Sequence, residues 1–379
     1  STFIDSVDRQ HPGTWIEPLV TTTDQSQWLP GTLGYDLYGG TPGIALVLAA
    51  AGALLDEPRY SGTANRILGP IERQLSEGRI EEGAVSSGGF TGMGGTVYAI
   101  ARAEAFHGTG RTLDVPPLLS ALAQSGGGDK TLPPDLTVGA VGALAAGLAA
   151  RSTLPPAQRS ACDEPLRLVA KRAAAAVRAH KSAVTFTGYA HGIAGMAPVL
   201  LRAGAALDDE TLTELGLELF HRLDRSRIAD EDDWPRTLED AGSHRSYSWC
   251  HGAPGLLLAY AEVEALVPGT VPAGRIHRLT DLTLSRGLGN NPTLCHGDAG
   301  TLDVLLDVCA LSQPASALHL RSIAGQLHRT LAATVLKNGL NRGSKYSFTS
   351  SLMVGTAGTA WSLLRGIDPQ RFPSILRLG

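Results

Sequence analysis

Two hydrophobic patterns alternate along this chain. The first is apolar on every side, as in Ile44-Ala-Leu-Val-Leu-Ala-Ala-Ala51, Ala143-Leu-Ala-Ala-Gly-Leu-Ala-Ala150 and Leu256-Leu-Leu-Ala-Tyr-Ala261. These runs are rich in Ala and Leu and poor in β-branched residues, so they predict helix rather than strand. A helix that is apolar all round is a buried helix. The second pattern is amphipathic. Residues 58–75, 164–180, 211–223 and 315–331 carry charges on one side and apolar residues on the other, as a surface helix does. No stretch reads convincingly as a strand.

Each all-apolar run follows a Gly-x-x-Gly motif. There are seven: Gly40-Thr-Pro-Gly43, Gly92-Met-Gly-Gly95, Gly139-Ala-Val-Gly142, Gly192-Ile-Ala-Gly195, Gly252-Ala-Pro-Gly255, Gly297-Asp-Ala-Gly300 and Gly355-Thr-Ala-Gly358. Their first glycines are 52, 47, 53, 60, 45 and 58 residues apart. Seven copies with the same continuation are a repeat, each unit holding one buried and one amphipathic helix. An open solenoid would leave its inner helices partly exposed, whereas a closed ring buries them. The pattern therefore predicts an all-α fold, an α/α toroid of seven inner and seven outer helices. The glycines mark inner-helix N-termini, where small residues let backbones crowd toward the axis. No linker interrupts the pattern, so residues 1–379 are read as one domain.

Composition adds exclusions. Hydrophobic residues make up 43% and charged residues 18%, enough for a large core. A net charge of −4 gives no basic footprint for nucleic acid or a membrane surface. No window of about 18 apolar residues predicts a membrane span, and residues 1–5 lack a signal-peptide pattern. Of the four cysteines, Cys250 and Cys295 each precede a histidine. That favours a reduced, cytoplasmic compartment and metal or catalytic use over disulfides.

If inner-helix N-termini converge at one end of the ring, the residues just before the glycines converge too. That set holds Asp135, His191, Cys250-His251 and Cys295-His296. Helix N-termini favour thiolates, and two thiolates with an imidazole suit zinc. Two arrangements stay open on spacing alone. Cys250, Cys295 and His296 could bind the metal with a fourth position free, or His251 could close a structural set. The other motif copies read as packing and turn geometry, and the first has only Asp36 and Tyr38 nearby. Cys162 and Cys309 read as core, and His107, His180, His221 and His277 as surface. The polar segment 230–240 reads as a solvated loop, with a rim or lid over the site as the functional alternative. Arg245 is near enough in sequence to Cys250 to reach the pocket.

The stretch Trp249-Cys250-His251-Gly252-Ala-Pro-Gly255, with Cys295-His296-Gly297, His191-Gly-Ile-Ala-Gly195 and the glycine repeats, resembles the lanthionine synthetase C-like cyclase family. The resemblance runs from Asp36 to the end of the sequence. Residues 34–46 and the ending Phe372-Pro-Ser-Ile-Leu376 look most like the C-terminal cyclase domain of class II bifunctional lanthipeptide synthetases. The resemblance implies a toroid with Zn²⁺ at one end, held by Cys250, Cys295 and His296. It implies His191 as the acid/base, Asp135 as the active-site aspartate and His251 near the substrate. The family arginine stands four residues before the first Cys. Here Ser246 holds that position and Arg245 is the neighbouring candidate. The implied reaction adds cysteine thiols of a dehydrated precursor peptide to dehydroalanine or dehydrobutyrine, giving thioether rings. A dehydratase domain would precede this one in the full-length chain, consistent with the absence of an initiating Met. Two other readings remain: a zinc toroid acting on a small thiol such as glutathione, and a peptide-binding module with structural zinc.

Overall fold

The computed structural model describes residues 15–20, 28–78, 86–107, 113–125, 132–180, 186–228, 233–239, 245–289, 291–312, 314–339 and 349–379. Seven helices follow the glycine motifs: α1 (Thr41–Leu55), α3 (Met93–His107), α5 (Ala140–Ser152), α7 (Ile193–Leu207), α9 (Ala253–Leu266), α11 (Asp298–Leu311) and α13 (Thr356–Ile367). Each packs against the next, and α13 packs back on α1, so the inner ring is closed. Six outer helices are found among the described residues: α2 (Pro58–Ser76), α4 (Val115–Gln124), α6 (Asp163–Ala179), α8 (Glu210–Arg225), α10 (Arg275–Arg286) and α12 (Pro314–Asn338). Each lies against the inner helix that precedes it. The fold is the α/α toroid that the repeat predicts, with all seven inner helices and, among the described residues, six of the seven expected outer ones.

The two patterns behave as their sequences require. Every residue of α1 from 41 to 50 is buried. In α8 the buried residues are Leu212, Leu215, Gly216, Leu219, Phe220 and Leu223, a stripe at helical spacing. Asp209 caps this helix by accepting from the Leu212 N–H at 3.2 Å. Each leucine so buried contributes roughly 1.5–3 kcal/mol. No described helix is long and apolar enough to cross a membrane.

One element departs from the sequence reading. Strands β1 (Ile16–Val20) and β2 (Trp28–Thr32) form an antiparallel hairpin ahead of the ring. Pro18 and Pro30 face each other in the ladder. Proline is a poor strand former, and it hides the period-two pattern here.

The glycines also do something more local than was expected. The first glycine is the N-cap of its helix in α1, α5, α7, α9, α11 and α13. The incoming loop winds back over the helix start, so both glycines face the carbonyl oxygen six residues upstream. A Cβ on the second glycine would meet that oxygen at 2.4 Å in Gly43, 1.8 Å in Gly142, 2.0 Å in Gly195, 2.1 Å in Gly255, 1.9 Å in Gly300 and 2.0 Å in Gly358. Each unit crowds its own loop first, and the neighbouring helices second.

Gly142→Ala should therefore be severely destabilising. Its Cβ would also lie 2.4 Å from the Gly89 N, and neither obstacle is a movable side chain. We expect a loss of at least about 2 kcal/mol, as for an overpacked core. Gly325→Ala on α12 is the control, because the nearest atom there is the end of Arg329 at 3.6 Å. It should be neutral or gain up to about 1 kcal/mol. Denaturant midpoints of the two variants test this, and equal midpoints would refute the steric account.

Residues 372–379 pack inside the ring, and the Leu378 side chain reaches the loop at Gly89, where an added Cβ would meet its Cδ1 at 2.7 Å. Phe372, Ile375, Leu376 and Leu378 are fully buried. Arg377 Nε pairs with Asp307 Oδ2 at 2.7 Å, and Arg365 pairs with Asp303 at 2.8 Å and Asp307 at 2.6 Å. Arg202 donates to the carbonyls of Arg377 and Leu378. A charged network thus ties α7, α11 and α13 to residues 372–379.

Candidate metal centre and its neighbours

The site is built on one repeated position. Two residues before each first glycine stand Tyr38, Phe90, Thr137, Ala190, Cys250, Cys295 and Met353. Their backbones link the seven loops side by side. The N–H of Tyr38 donates to Phe90 at 3.0 Å, Phe90 to Thr137 at 3.0 Å, Thr137 to Ala190 at 3.2 Å and Ala190 to Cys250 at 3.2 Å. Cys295 donates to Met353 at 2.9 Å, and Met353 to Tyr38 at 3.0 Å. Among the described residues, six of the seven links are made. The missing one runs from Cys250 to Cys295, where two thiols face each other instead.

Across this seam the ligand atoms of Cys250, Cys295 and His296 all lie within 4.8 Å of one another. Both cysteines are buried and His296 is exposed, so the group opens outward. The N-termini of α9 and α11 stand directly behind it and add partial positive charge. The hydrogen bond from the Cys295 thiol, helped by His296, holds Cys250 well below the usual thiol range. That same contact, with burial, pushes Cys295 up. His296 is raised by hydrogen bonding toward the Cys250 sulfur, against the opposing effect of burial, and its Nε2 lies 3.5 Å from Cys295 Sγ. Two sulfurs and an imidazole at this separation fit zinc, which would displace these protons.

His251 is not part of the group. Its ring stacks on His191 at 5.5 Å, with Phe186 on another side at 5.5 Å. Gly188 leaves the room, since a Cβ there would meet His251 Nδ1 at 3.0 Å. Burial pulls His251 below the ordinary imidazole value, so it is neutral near pH 7. Its Nδ1 is buried with no hydrogen-bond partner among the described residues. His191 lies 3.7 Å from Asp135 (Nδ1 to Oδ1). That carboxylate is fixed by the Thr137 and Val138 N–H groups at 2.7 and 2.8 Å. Asp135, His191, His251 and the ligand group thus follow one another across four adjacent units.

Arg245 is held elsewhere, with Nε 3.6 Å from Asp233 Oδ2, and Tyr247 reaches the same carboxylate. The exposed Arg236 is a cation close enough to act on His251. It comes from the polar segment read as loop or rim. Its described part, 233–239, packs on the site margin through Thr187, which bonds Pro235 and Arg236, and through a bridge from Phe186 to Thr237. Residues 229–232 and 240, and the His107 side chain, lie outside the described residues. Cys162 and Cys309 are buried, and His277 and His221 are exposed.

Two further neighbours of the cysteines carry no chemical mark in the local sequence. Tyr38 is half-buried, with its phenol facing Cys295. Burial, then the charge on Cys295, push the phenol well above its ordinary range. Ser248 Oγ lies 3.3 Å from Cys250 Sγ. The signal for Tyr38 was its register, two residues before a glycine like both cysteines.

Among solved structures, that of nisin cyclase is similar at a TM-score of 0.63 and 15% identity, over 91% of this chain and 92% of that one. At that identity the likeness speaks to the fold. The family model described as lanthionine synthetase C-like protein matches residues 31–377, nearly the whole toroid. With the closed ring and the Cys-Cys-His group across its seam, that match establishes that the chain belongs to the lanthionine synthetase C-like family.

Proposed function

We propose that this chain is a zinc-dependent cyclase. It adds cysteine thiols of a dehydrated precursor peptide to dehydroalanine or dehydrobutyrine and forms lanthionine and methyllanthionine rings. The observation that carries this reading is the adjacency of two sites. A three-donor metal group lies beside a histidine, His191, that is itself beside a fixed carboxylate. That His251 stands outside the donor group argues against the closed, structural zinc of the binding-module reading.

Zinc on Cys250, Cys295 and His296 would supply an open position at which a substrate thiol is held as the thiolate. The protein's own residues do the rest. The substrate sulfur forms a bond to the β-carbon as the double-bond electrons move toward the carbonyl. His191 delivers the proton that completes the α-carbon. The thiol loses one proton and the carbon gains one, so the pair His191–Asp135 closes the balance. His251 and a rim cation stabilise the developing negative oxygen. Arg236 is the better-placed cation for that role, because Arg245 is engaged by Asp233. The substrate needs prior dehydration of Ser or Thr, which a dehydratase domain in the same full-length chain would supply.

His191→Asn tests the assignment. The variant should keep wild-type zinc content and lose about 10²- to 10⁴-fold in turnover, the usual worth of a general acid. The assay is loss of free thiol, by mass spectrometry, in a synthetic peptide carrying one dehydroalanine and one cysteine. Unchanged turnover would remove His191 as the acid. Consumption of glutathione in preference to the internal thiol would favour the small-thiol reading.

A further inference from the structure

A site that brings a dehydroamino acid to a metal with two cysteine ligands has a selectivity problem. The substrate is an electrophile, and three thiolates would surround it. Only the substrate's sulfur should add. If a ligand sulfur attacked the β-carbon instead, its new C–S bond and the proton taken up at the α-carbon would leave the enzyme alkylated.

The structure offers each ligand sulfur its own hydroxyl. Ser248 Oγ is 3.3 Å from Cys250 Sγ. Ser246 Oγ in turn is 3.2 Å from Ser248 Oγ, so Ser248 can accept from Ser246 and turn its own proton toward the sulfur. On the other side of the seam the Tyr38 phenol faces Cys295, close enough for the two groups to act on each other. Tyr38 is brought there by the loop ring: Cys295 donates to Met353 at 2.9 Å and Met353 to Tyr38 at 3.0 Å. A metal-bound cysteine is a thiolate and has no proton to give, so in both contacts the hydroxyl must be the donor. A hydrogen bond donated to a thiolate stabilises its charge and lowers its reactivity toward carbon.

We propose that Ser248 and Tyr38 are positioning residues that cap the Cys250 and Cys295 sulfurs, so that the uncapped substrate sulfur is the nucleophile. This inference rests on the cyclase reading only for the identity of the electrophile. The caps act on the protein's own ligands, whatever peptide is bound.

The test uses the zinc-loaded full chain and N-ethylmaleimide, an electrophilic alkene that stands in for the dehydroamino acid. Alkylation of each cysteine is followed by peptide mass mapping under excess zinc, with metal content measured in parallel. Ser248→Ala should speed modification of Cys250 by about tenfold, the worth of one charge-assisted hydrogen bond, and leave Cys295 unchanged. Tyr38→Phe should do the reverse. This crossed pattern separates capping from loosened packing or lost metal, either of which would expose both sulfurs together. Ser248→Thr, which keeps the hydroxyl, should restore slow alkylation. In cobalt-substituted protein each capless variant should move the sulfur-to-metal charge-transfer band to lower energy, because a less stabilised thiolate gives up its electron more easily. Wild-type alkylation rates in both variants at full metal content would overturn the proposal. Parallel acceleration of both cysteines would overturn it too. If the crossed pattern appears but the wild-type chain does not cyclise the dehydroalanine peptide, the caps stand and the cyclase reading falls. If cyclisation occurs without the pattern, the reverse holds.

Discussion

Cys295→Ala should abolish stoichiometric zinc and ring formation while leaving the helical circular dichroism unchanged. Removing a residue that only supports a metal ligand costs roughly 10- to 100-fold in affinity, so deleting a thiolate ligand should cost at least about a hundredfold. The fold should survive because Cys295 contributes to the loop ring through its backbone. Its N–H donates to Met353 at 2.9 Å, and alanine keeps that bond. What the variant loses is the side-chain bridge across the one link, Cys250 to Cys295, that backbone hydrogen bonds do not make. The change should show in hydrogen exchange. Chelating zinc from the wild type, or reading the variant directly, should raise exchange at the starts of α9 and α11 and leave the other six junctions as they were. Zinc content and peptide thiol loss complete the measurement. Cyclisation that persists without metal would refute the mechanism, and uniform exchange around the ring would refute the seam.

Arg365→Met should cost about 3–5 kcal/mol, the usual consequence of stripping one partner from a buried ion pair. Arg365 is 2% exposed and Asp303 fully buried. Its Nε donates to Phe372 O at 2.9 Å and its Nη1 to the Asp303 carbonyl at 2.9 Å, so the substitution also orphans two acceptors. The deficit should depend on pH in a definite sense. Burial already raises the Asp303 carboxyl above the usual range with Arg365 in place, and without the guanidinium it rises further. A carboxyl whose folded value exceeds its unfolded value makes the native state bind more protons, so stability falls as pH rises through that window. The variant should therefore lie closer to wild type at acidic pH than at alkaline pH. Denaturant melts at two pH values test this, and a deficit independent of pH would assign the loss to packing alone. The consequence reaches the site, because Arg377, which shares Asp307 with Arg365, also faces Glu262, and Glu262 accepts the Tyr189 hydroxyl at 2.5 Å. Tyr189 stands two residues before His191.

Much of this architecture can be read from the chain. A closed ring follows from all-apolar helices, since only closure leaves such a helix no wet face. The register of the chemistry follows from the glycines. His191, His251 and His296 each stand one residue before a first glycine, and Cys250 and Cys295 two before it. Local pattern failed at β1 and β2, where prolines hide the alternation, and at Tyr38, which no reactive neighbour marks. It also singled out Arg245 and gave no signal for Arg236, whose charge acts on His251.

By itself, then, the sequence determines that seven like units close on themselves and that thiols and imidazoles share one end. Periodicity and register are local properties, carried by residues a few positions apart. Only the tertiary structure decides how equivalent residues differ. Cys250 and Cys295 occupy the same position in adjacent units, yet among the described residues one seam out of seven lacks its backbone link, and it lies between them. His251 and His296 are equivalent too, but His251 packs among Phe186, His191 and the space left by Gly188 while His296 turns to the thiols. Those choices depend on what neighbouring units present across the ring, from residues tens to hundreds of positions away.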